Sequence, residues 1–306
     1  MGRGRCKLLT VWKDDEGVLI QSVINGLMIG GIYSLIAAGL TIIIGIMKLI
    51  NFAQGACLML GMYATWVLHR ITGLDPYVLI VPVMIIMFVF GQLIYHIFIN
   101  PLIGRPGVDS IVVTMGLSFV LISVVQLIFS PMYQSVNSVA KDMTIRLAGG
   151  YNIWVPRAVA FVSMLVAITG IHIFFKKTDA GRAMKATAEN IEVAQMLGIN
   201  TKRGFAIAFS MGVTMAGMCG LFLSPIYYVH PNAGAPFGAI PMIIMVLGGL
   251  GNVGGSVVCG MLGGILEAIL GAYISPDIAP VGIFILLIVV LIFKPDGLFG
   301  KGVRKA

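Results

Sequence analysis

Charge is scarce in this chain. Of its 306 residues only 10% are Asp, Glu, Lys or Arg, while 58% are hydrophobic and the mean hydropathy is +1.01. An ordinary soluble domain is about a quarter charged. A water-facing surface cannot be covered at the lower density, which excludes soluble globular domains even though the length would allow two. Long polar stretches are scarce too. Residues 131–154 and 176–204 are each too short to bury a core, so any catalytic domain must come from another chain. Metal-type cysteine spacing is absent: Cys6, Cys57, Cys219 and Cys259 form no CxxC pair, and three lie in apolar segments where Cys behaves as a small hydrophobe. Neither a disulfide nor a metal is expected. Enzyme signatures are missing as well, with no GxxxxGK[ST], HExxH or GxSxG; the GKG at 300–302 lacks the leading glycine and the hydroxyl residue of a phosphate loop. No cofactor is expected in this chain.

What is present is apolar sequence in membrane-length runs. A helix needs about 20 apolar residues to cross the hydrocarbon layer, and single candidates fall near 56–71, 77–99, 110–130, 155–175, 205–224 and 278–294. Two glycine-crowded stretches, 18–47 and 238–272, are longer. They predict doubled or broken helices near both ends of an all-α polytopic membrane protein with about 8–10 transmembrane helices. Broken helices at corresponding places in two halves point to a transport path, because irregular backbone is tolerated at membrane depth only against protein or water. Close helix packing accounts for many of the 39 glycines without any such role. The domain reading is a basic N-terminal segment (1–17), a transmembrane domain (18–294) containing the loop 176–204, and a basic tail (295–306).

The net charge of +8 invites a nucleic-acid reading, but Lys and Arg in a membrane protein gather on the cytoplasmic side. The densest basic cluster, Lys176, Lys177, Arg182, Lys185, Lys202 and Arg203, places loop 176–204 inside. Phasing from it puts Lys48, Arg105, Lys294, Lys301, Arg304 and Lys305 inside with that cluster, and Arg70, Lys141, Arg146 and Arg157 outside. The C-terminus is then cytoplasmic. If 18–47 crosses twice or is broken, the N-terminus with Arg3, Arg5, Lys7 and Lys13 is cytoplasmic as well; the acids at 14–16 cut short any signal-peptide core.

Polar residues in apolar runs are costly and often functional. Glu267 sits mid-run in GMLGGILEAILGAYIS, where it either lines a path or makes a structural hydrogen bond. Asn25, Thr41, Asn51 and Gln54 lie near the first glycine-rich stretch, and Asn252 and Ser256 in the second. Amides and hydroxyls suit a neutral or zwitterionic solute rather than a proton or sodium pump. The segment TDAGRAMKATAENIEVAQMLGI (178–199) reads as a short alanine-rich helix, capped by Thr178 or Asp179 and stopped by Gly198. It serves either as a docking element for a motor subunit or as a plain connector.

NGLMIGGIYSLIAAGLTIIIGIMKLINFAQGACLMLG (25–61), KTDAGRAMKATAENIEVAQMLGINTKRGFAIAFSMGVTMAGMCG (177–220), VLGGLGNVGGSVVCGMLGGILEAILGAYIS (246–275) and FKPDGLFG (293–300) together resemble the permease subunit of branched-chain amino-acid ABC importers. The resemblance runs nearly end to end. It implies an inner-membrane protein importing branched-chain or other hydrophobic amino acids by alternating access. The implied partners are a second permease (a paralogue or another copy), two cytoplasmic ATP-binding subunits carrying ATP and Mg, and an extracytoplasmic solute-binding protein. Lys185, Glu189, Asn190, Ala194, Gly198 and Ile199 fall in the family's coupling segment. Asn25, Gly26, Tyr33, Asn51, Phe52, Ala53 and Gly55 match its first motif, and Gly248, Gly249, Gly251, Gly255 and Glu267 its last. Gln54 stands where many members have His and Gly254 where many have Pro. Related permeases that import urea or short amides leave the solute open, and an ion-coupled secondary transporter or channel is the rival from a different class.

Overall fold

The computed structural model describes residues 3–104, 107–141, 143–146 and 152–300. Arg105, Lys301, Arg304 and Lys305 lie outside these residues, and the side chains of Arg3, Arg5, Cys6, Lys7, Lys13 and Arg146 lie outside the description as well. The order is α1 (Arg3–Met47), α2 (Gln54–Thr72), α3 (Ile80–Ile94, continued by a π turn Tyr95–Ile99 and a 3-10 turn Asn100–Leu102), α4 (Gly107–Phe129), the strands β1 (Thr144–Arg146) and β2 (Asn152–Trp154), α5 (Val155–Lys177), α6 (Asp179–Glu189), α7 (Ile191–Met196), α8 (Thr201–Leu223), α9 (Pro236–Gly248), α10 (Val253–Tyr273) and α11 (Ala279–Phe293). Among the described residues six helices are long and apolar enough to cross a membrane, and α9 and α11 are shorter apolar helices. The chain is an all-α polytopic membrane protein, with the small antiparallel pair β1–β2 besides.

Two antiparallel helices form the centre. α1 and α8 cross where Gly39 meets Gly212, and the Cys219 thiol near the other end of α8 faces the Ile32 carbonyl. α10 lies along α1, and α3 lies along α8. The α1–α10 contact is a small-residue seam. Gly26, Gly30 and Ser34 recur every fourth position and face Gly264, Gly260 and Val257. A Cβ on Gly30 would stand 2.8 Å from the Gly260 carbonyl oxygen. Lipid gives no hydrophobic drive between helices, so such seams gain their energy from close van der Waals approach.

The stretch 18–47 is therefore not doubled or broken. It is one helix from Gly17 to Met47, about 45 Å long at 1.5 Å per residue, and its glycines are contact points for α10, α5 and α8 rather than breaks. The condition for a cytoplasmic N-terminus, a doubled or broken 18–47, is therefore not met. Gln21 donates to the Asn152 carbonyl (2.8 Å) and accepts from the Asn152 N–H (3.0 Å), so the Gly17 end of α1 sits beside β2; in the positive-inside phasing that end is extracytoplasmic and Met47 cytoplasmic.

The first break instead follows the apolar run, at 48–53, where Lys48 adopts a left-handed φ of 54° and ends α1. The second long stretch does divide: α9 ends at Gly248, Gly249 and Gly251 turn with φ of 92° and 82°, and α10 starts at Val253. Glycine is suited to both positions because L side chains rarely adopt such φ values.

Candidate translocation path and coupling face

Neighbours along α8 set the depth of the two breaks. Gln54, the first residue of α2, donates from Nε2 to the Gly212 carbonyl (3.0 Å), and Gly61 packs on Gly217. α2 thus runs parallel to α8 and starts about 16 Å from its cytoplasmic end, near mid-membrane. Residues 48–53 are an irregular strand that re-enters from the cytoplasm. On the other side of the molecule 224–235 descends from the extracytoplasmic face, where Gln134 and Val229 form a two-hydrogen-bond bridge (2.9 and 2.8 Å), to Gly234. Gly234 lies against Gly55, so closely that a Cβ on either would strike the other's carbonyl. α9 then runs about 20 Å back to the cytoplasmic side. The two units, α1 with its break and α2 and α8 with its break and α9, are inverted copies of one pattern. Sequence similarity alone was too weak to reveal it.

A cavity of about 460 Å³ opens where the breaks meet, lined by Asn51, Phe52, Gly55 and Met59 on one side, Pro231, Gly234, Gly238 and Met242 on the other, and Met115, Phe119 and Phe284 from α4 and α11. The start of α2 and the start of α9 both face it.

The eight residues singled out from sequence do not gather in one place. Asn51 lines the cavity; its Nδ2 donates to Gln54 Oε1 (3.3 Å), while its Oδ1 accepts from Ala53 N–H (3.0 Å). Gln54 is buried behind the cavity on its Gly212 bond. Thr41 and Ser256 join hydroxyls at 2.6 Å across the α1–α10 seam. Asn252 caps α10 by accepting from Gly255 N–H (3.1 Å) and donates to the Phe299 carbonyl (2.9 Å). Asn25 sits one turn from Gln21 near the extracytoplasmic end. Tyr33 packs on Phe237 (centroids 6.3 Å apart) and neighbours Glu267. One Glu267 carboxyl oxygen is shielded from solvent with no hydrogen-bond partner among the described residues. Gly234 was missed as a lining residue because 225–237 reads as an outer loop, and Phe52, Gly238 and Met242 because an apolar residue or a glycine in an apolar run carries no polar signal. For 225–237 the lack of charge, together with PNAGAPFG placing Pro236 at a helix start, was the available signal.

The cytoplasmic loop forms two helices where one was expected. Thr178 caps α6 by accepting from Gly181 N–H (3.0 Å), and Asn190 ends it by capping α7 through Glu192 and Val193 N–H (3.0 and 3.1 Å). Gly198, with φ of 77°, closes α7: Ile199 N–H donates to the Ala194 carbonyl and Gly198 N–H to that of Gln195, both at 3.0 Å. Ala194 is buried, whereas Val193, Met196 and Leu197 project outward, Met196 with 84% of its surface exposed. Lys185 on α6 faces the turn at 250–254 across a cavity of about 630 Å³. The FKPDGLFG segment folds back onto that same turn, with Leu298 N–H donating to the Leu247 carbonyl (2.7 Å) and Gly300 against Gly249.

Outside the membrane-spanning segments, burial followed by the adjacent Asp75 pushes the Tyr77 hydroxyl up to about 12. Burial lowers His230, whose ring lies 4.9 Å from that of Tyr133. Among the described residues no cluster of His, Cys, Asp or Glu could hold a metal ion.

Comparison with known proteins agrees with this architecture. Residues 22–292 match the family model described as branched-chain amino acid transport system / permease component. The chain is 30% identical over 303 residues to the high-affinity branched-chain amino acid transport system permease protein LivH of Escherichia coli K12, covering 92% of this chain and 96% of that protein. It is 30% identical over 305 residues to the permease protein BraD of Pseudomonas aeruginosa, with the same coverage. It is 26% identical over 303 residues to the probable LivH of Methanocaldococcus jannaschii, covering 95% and 93%. No solved structure matches the chain. With a family model spanning most of its length and full-length relatives at this identity, the chain belongs to the branched-chain amino acid transport permease family.

Proposed function

We propose that this chain is the membrane-spanning subunit of an ATP-driven importer in the bacterial inner membrane that carries branched-chain or other hydrophobic amino acids inward. The observation that carries the reading is the convergence of two half-membrane helix starts on one apolar cavity. Helix N-termini favour a carboxylate, irregular backbone offers further polar groups, and the methionines and phenylalanines around them suit an aliphatic side chain.

The energy enters from outside the chain. Val193, Met196 and Leu197 form the knob that inserts into a groove on one cytoplasmic ATPase, and a second permease, either a paralogue or another copy, completes the transmembrane part and engages the other. When ATP draws the ATPases together, α6 moves toward the turn at 250–254 and narrows the cavity between them. That turn is the cytoplasmic end of α9, so α9 tilts between its glycine turn and the outer break. Tilting closes the 460 Å³ cavity to one side and opens it to the other. An extracytoplasmic binding protein delivers the solute and sets most of the selectivity.

Reconstitution tests the proposal. Vesicles holding the permeases, ATPases and cognate binding protein should accumulate labelled leucine only with ATP. Leucine uptake by this chain alone down an ion gradient would contradict it, and a binding protein that takes urea in preference to leucine would overturn the substrate assignment.

A further inference from the structure

A second membrane-depth feature flanks the small-residue crossing of α1 and α8, with Met215 shared between the two. An apolar groove of about 720 Å³ runs between α3, α5 and α8, with Met84, Met211, Met215 and Met218 among its walls. Its length along α8, from Ile207 to Met218, is about 17 Å, close to the half-thickness of a hydrocarbon layer. At its cytoplasmic end it adjoins two smaller cavities, of about 290 and 410 Å³, which share Ile207 with it and share Asn200 and Arg203 with each other.

Those cavities are polar and basic. Lys202, Arg203 and His96 line them, and neither Lys202 nor Arg203 forms an ion pair among the described residues. The one acid at the rim, Asp179, is held by Arg182 at 2.6 Å. The Tyr95 hydroxyl, in the π turn that ends α3, donates to the Lys202 carbonyl (3.1 Å) and fixes the basic pair beside the groove. α5 buries only Pro156, Ala160 and Met164, so the groove's far wall is a thinly packed helix.

We infer that this groove is a binding site for an anionic phospholipid of the cytoplasmic leaflet, with an acyl chain between α3, α5 and α8 and the headgroup phosphate on Lys202 and Arg203. An apolar slot one leaflet deep with two unpaired cations at its interfacial end fits an amphiphile carrying negative charge at that depth. Each cation near the surface favours an anionic headgroup by about 1 kcal/mol. The cavity of about 290 Å³ also borders Thr187 and Asn200, so the lipid braces α8 against the coupling helices.

The test uses the assembled importer, exchanged into equal phosphatidylglycerol and phosphatidylcholine, with retained lipids identified by native mass spectrometry. Wild type should retain phosphatidylglycerol over phosphatidylcholine by roughly thirtyfold, the ratio that two such cations give. The exposed double substitution K202Q/R203Q should bring the two to parity. Gly170→Trp should displace both lipids by filling the groove, since a Cβ at Gly170 meets nothing within 4 Å. Equal retention of both lipids by wild type overturns the inference, as does an unchanged preference in K202Q/R203Q. Absence of any retained lipid, the outcome expected if a partner's helix fills the groove, overturns it too. Should Gly170→Trp fail to assemble, the charge variant alone decides.

Discussion

The two breaks that meet at mid-membrane are held in different ways. At the inner break, side chains tie 48–53 to neighbouring helices: Gln54 to the Gly212 carbonyl of α8, and the buried Thr114 of α4 to Phe52 N–H (3.2 Å). At the outer break the ties are local backbone turns, such as Ala233 to His230 and Phe237 to Gly234, and the backbone bridge from the buried Val229 to Gln134. The inner break cannot shift without stranding buried polar groups. Through Gln134 the outer break joins segment 131–141, which Asp75 ties to the α2–α3 connection by accepting from the Ser138 hydroxyl (2.8 Å) and the Val139 N–H (3.0 Å). In the proposed mechanism motion therefore belongs to α9, while α2 acts as the fixed jaw. α9 also carries an internal Pro241, which removes one helix hydrogen bond, and it ends on two glycine turns.

The largest effect should come from the point where the breaks touch. Gly234→Val places side-chain atoms on the Gly55 carbonyl, and uptake of labelled leucine at matched membrane levels should be lost. Normal uptake would mean that the breaks need not touch. Next, Gln54→Leu takes away the acceptor of the buried Asn51 Nδ2 and the Nε2 bond to the Gly212 carbonyl, costing about 1–3 kcal/mol. The thermal midpoint of the purified complex should fall, whereas an unchanged midpoint would remove the claim that the inner break is the fixed one. Gly198→Asp disturbs the left-handed stop of α7, a strain of roughly 1 kcal/mol. It should lower uptake while ATP hydrolysis by the assembled complex persists, so uptake and hydrolysis falling in proportion would argue against a coupling role for α7.

The smallest effect concerns the outer break alone. Burial lowers His230 below its ordinary value of 6.5, so its stabilising contribution is complete above that pH and is lost as pH falls through it. The ring is only half-buried, so solvent screens the effect. Amide protection factors at 229–235, with the intrinsic pH dependence of exchange divided out, should fall modestly between pH 7.5 and 5.5 in wild type but not in His230→Gln. An equal fall in both would assign the change elsewhere.

Much of this was legible in the sequence, and the failures have a common cause. Membrane helices, Thr178 as cap and Gly198 as stop follow from hydropathy and local turn chemistry, both of which are properties of neighbouring residues. The glycines of 18–47 were misread because hydropathy cannot tell a glycine that breaks a helix from one that admits another backbone. Gly26 and Gly30 do the latter only because Gly264 and Gly260 stand opposite. Thr41 and Ser256 looked like path residues for the same reason, since a hydroxyl in an apolar run has a partner that sequence does not show. The segment 225–237 has a loop's composition, and only its depth beside Gly55 makes it part of the site.

The central claim is that solute passes between the two breaks and that α9 moves to admit it. The most direct measurement is labelling of Met242→Cys by a membrane-impermeant thiol reagent, in a background where Cys6, Cys57, Cys219 and Cys259 are replaced, with Ser256→Cys on the α1–α10 seam as control. In the assembled importer, labelling at 242 should differ between nucleotide-free and ATP-trapped states and should slow with leucine-loaded binding protein, while 256 stays unreactive. Labelling at 242 that is equal in every state, in an importer that still transports leucine, would contradict the account.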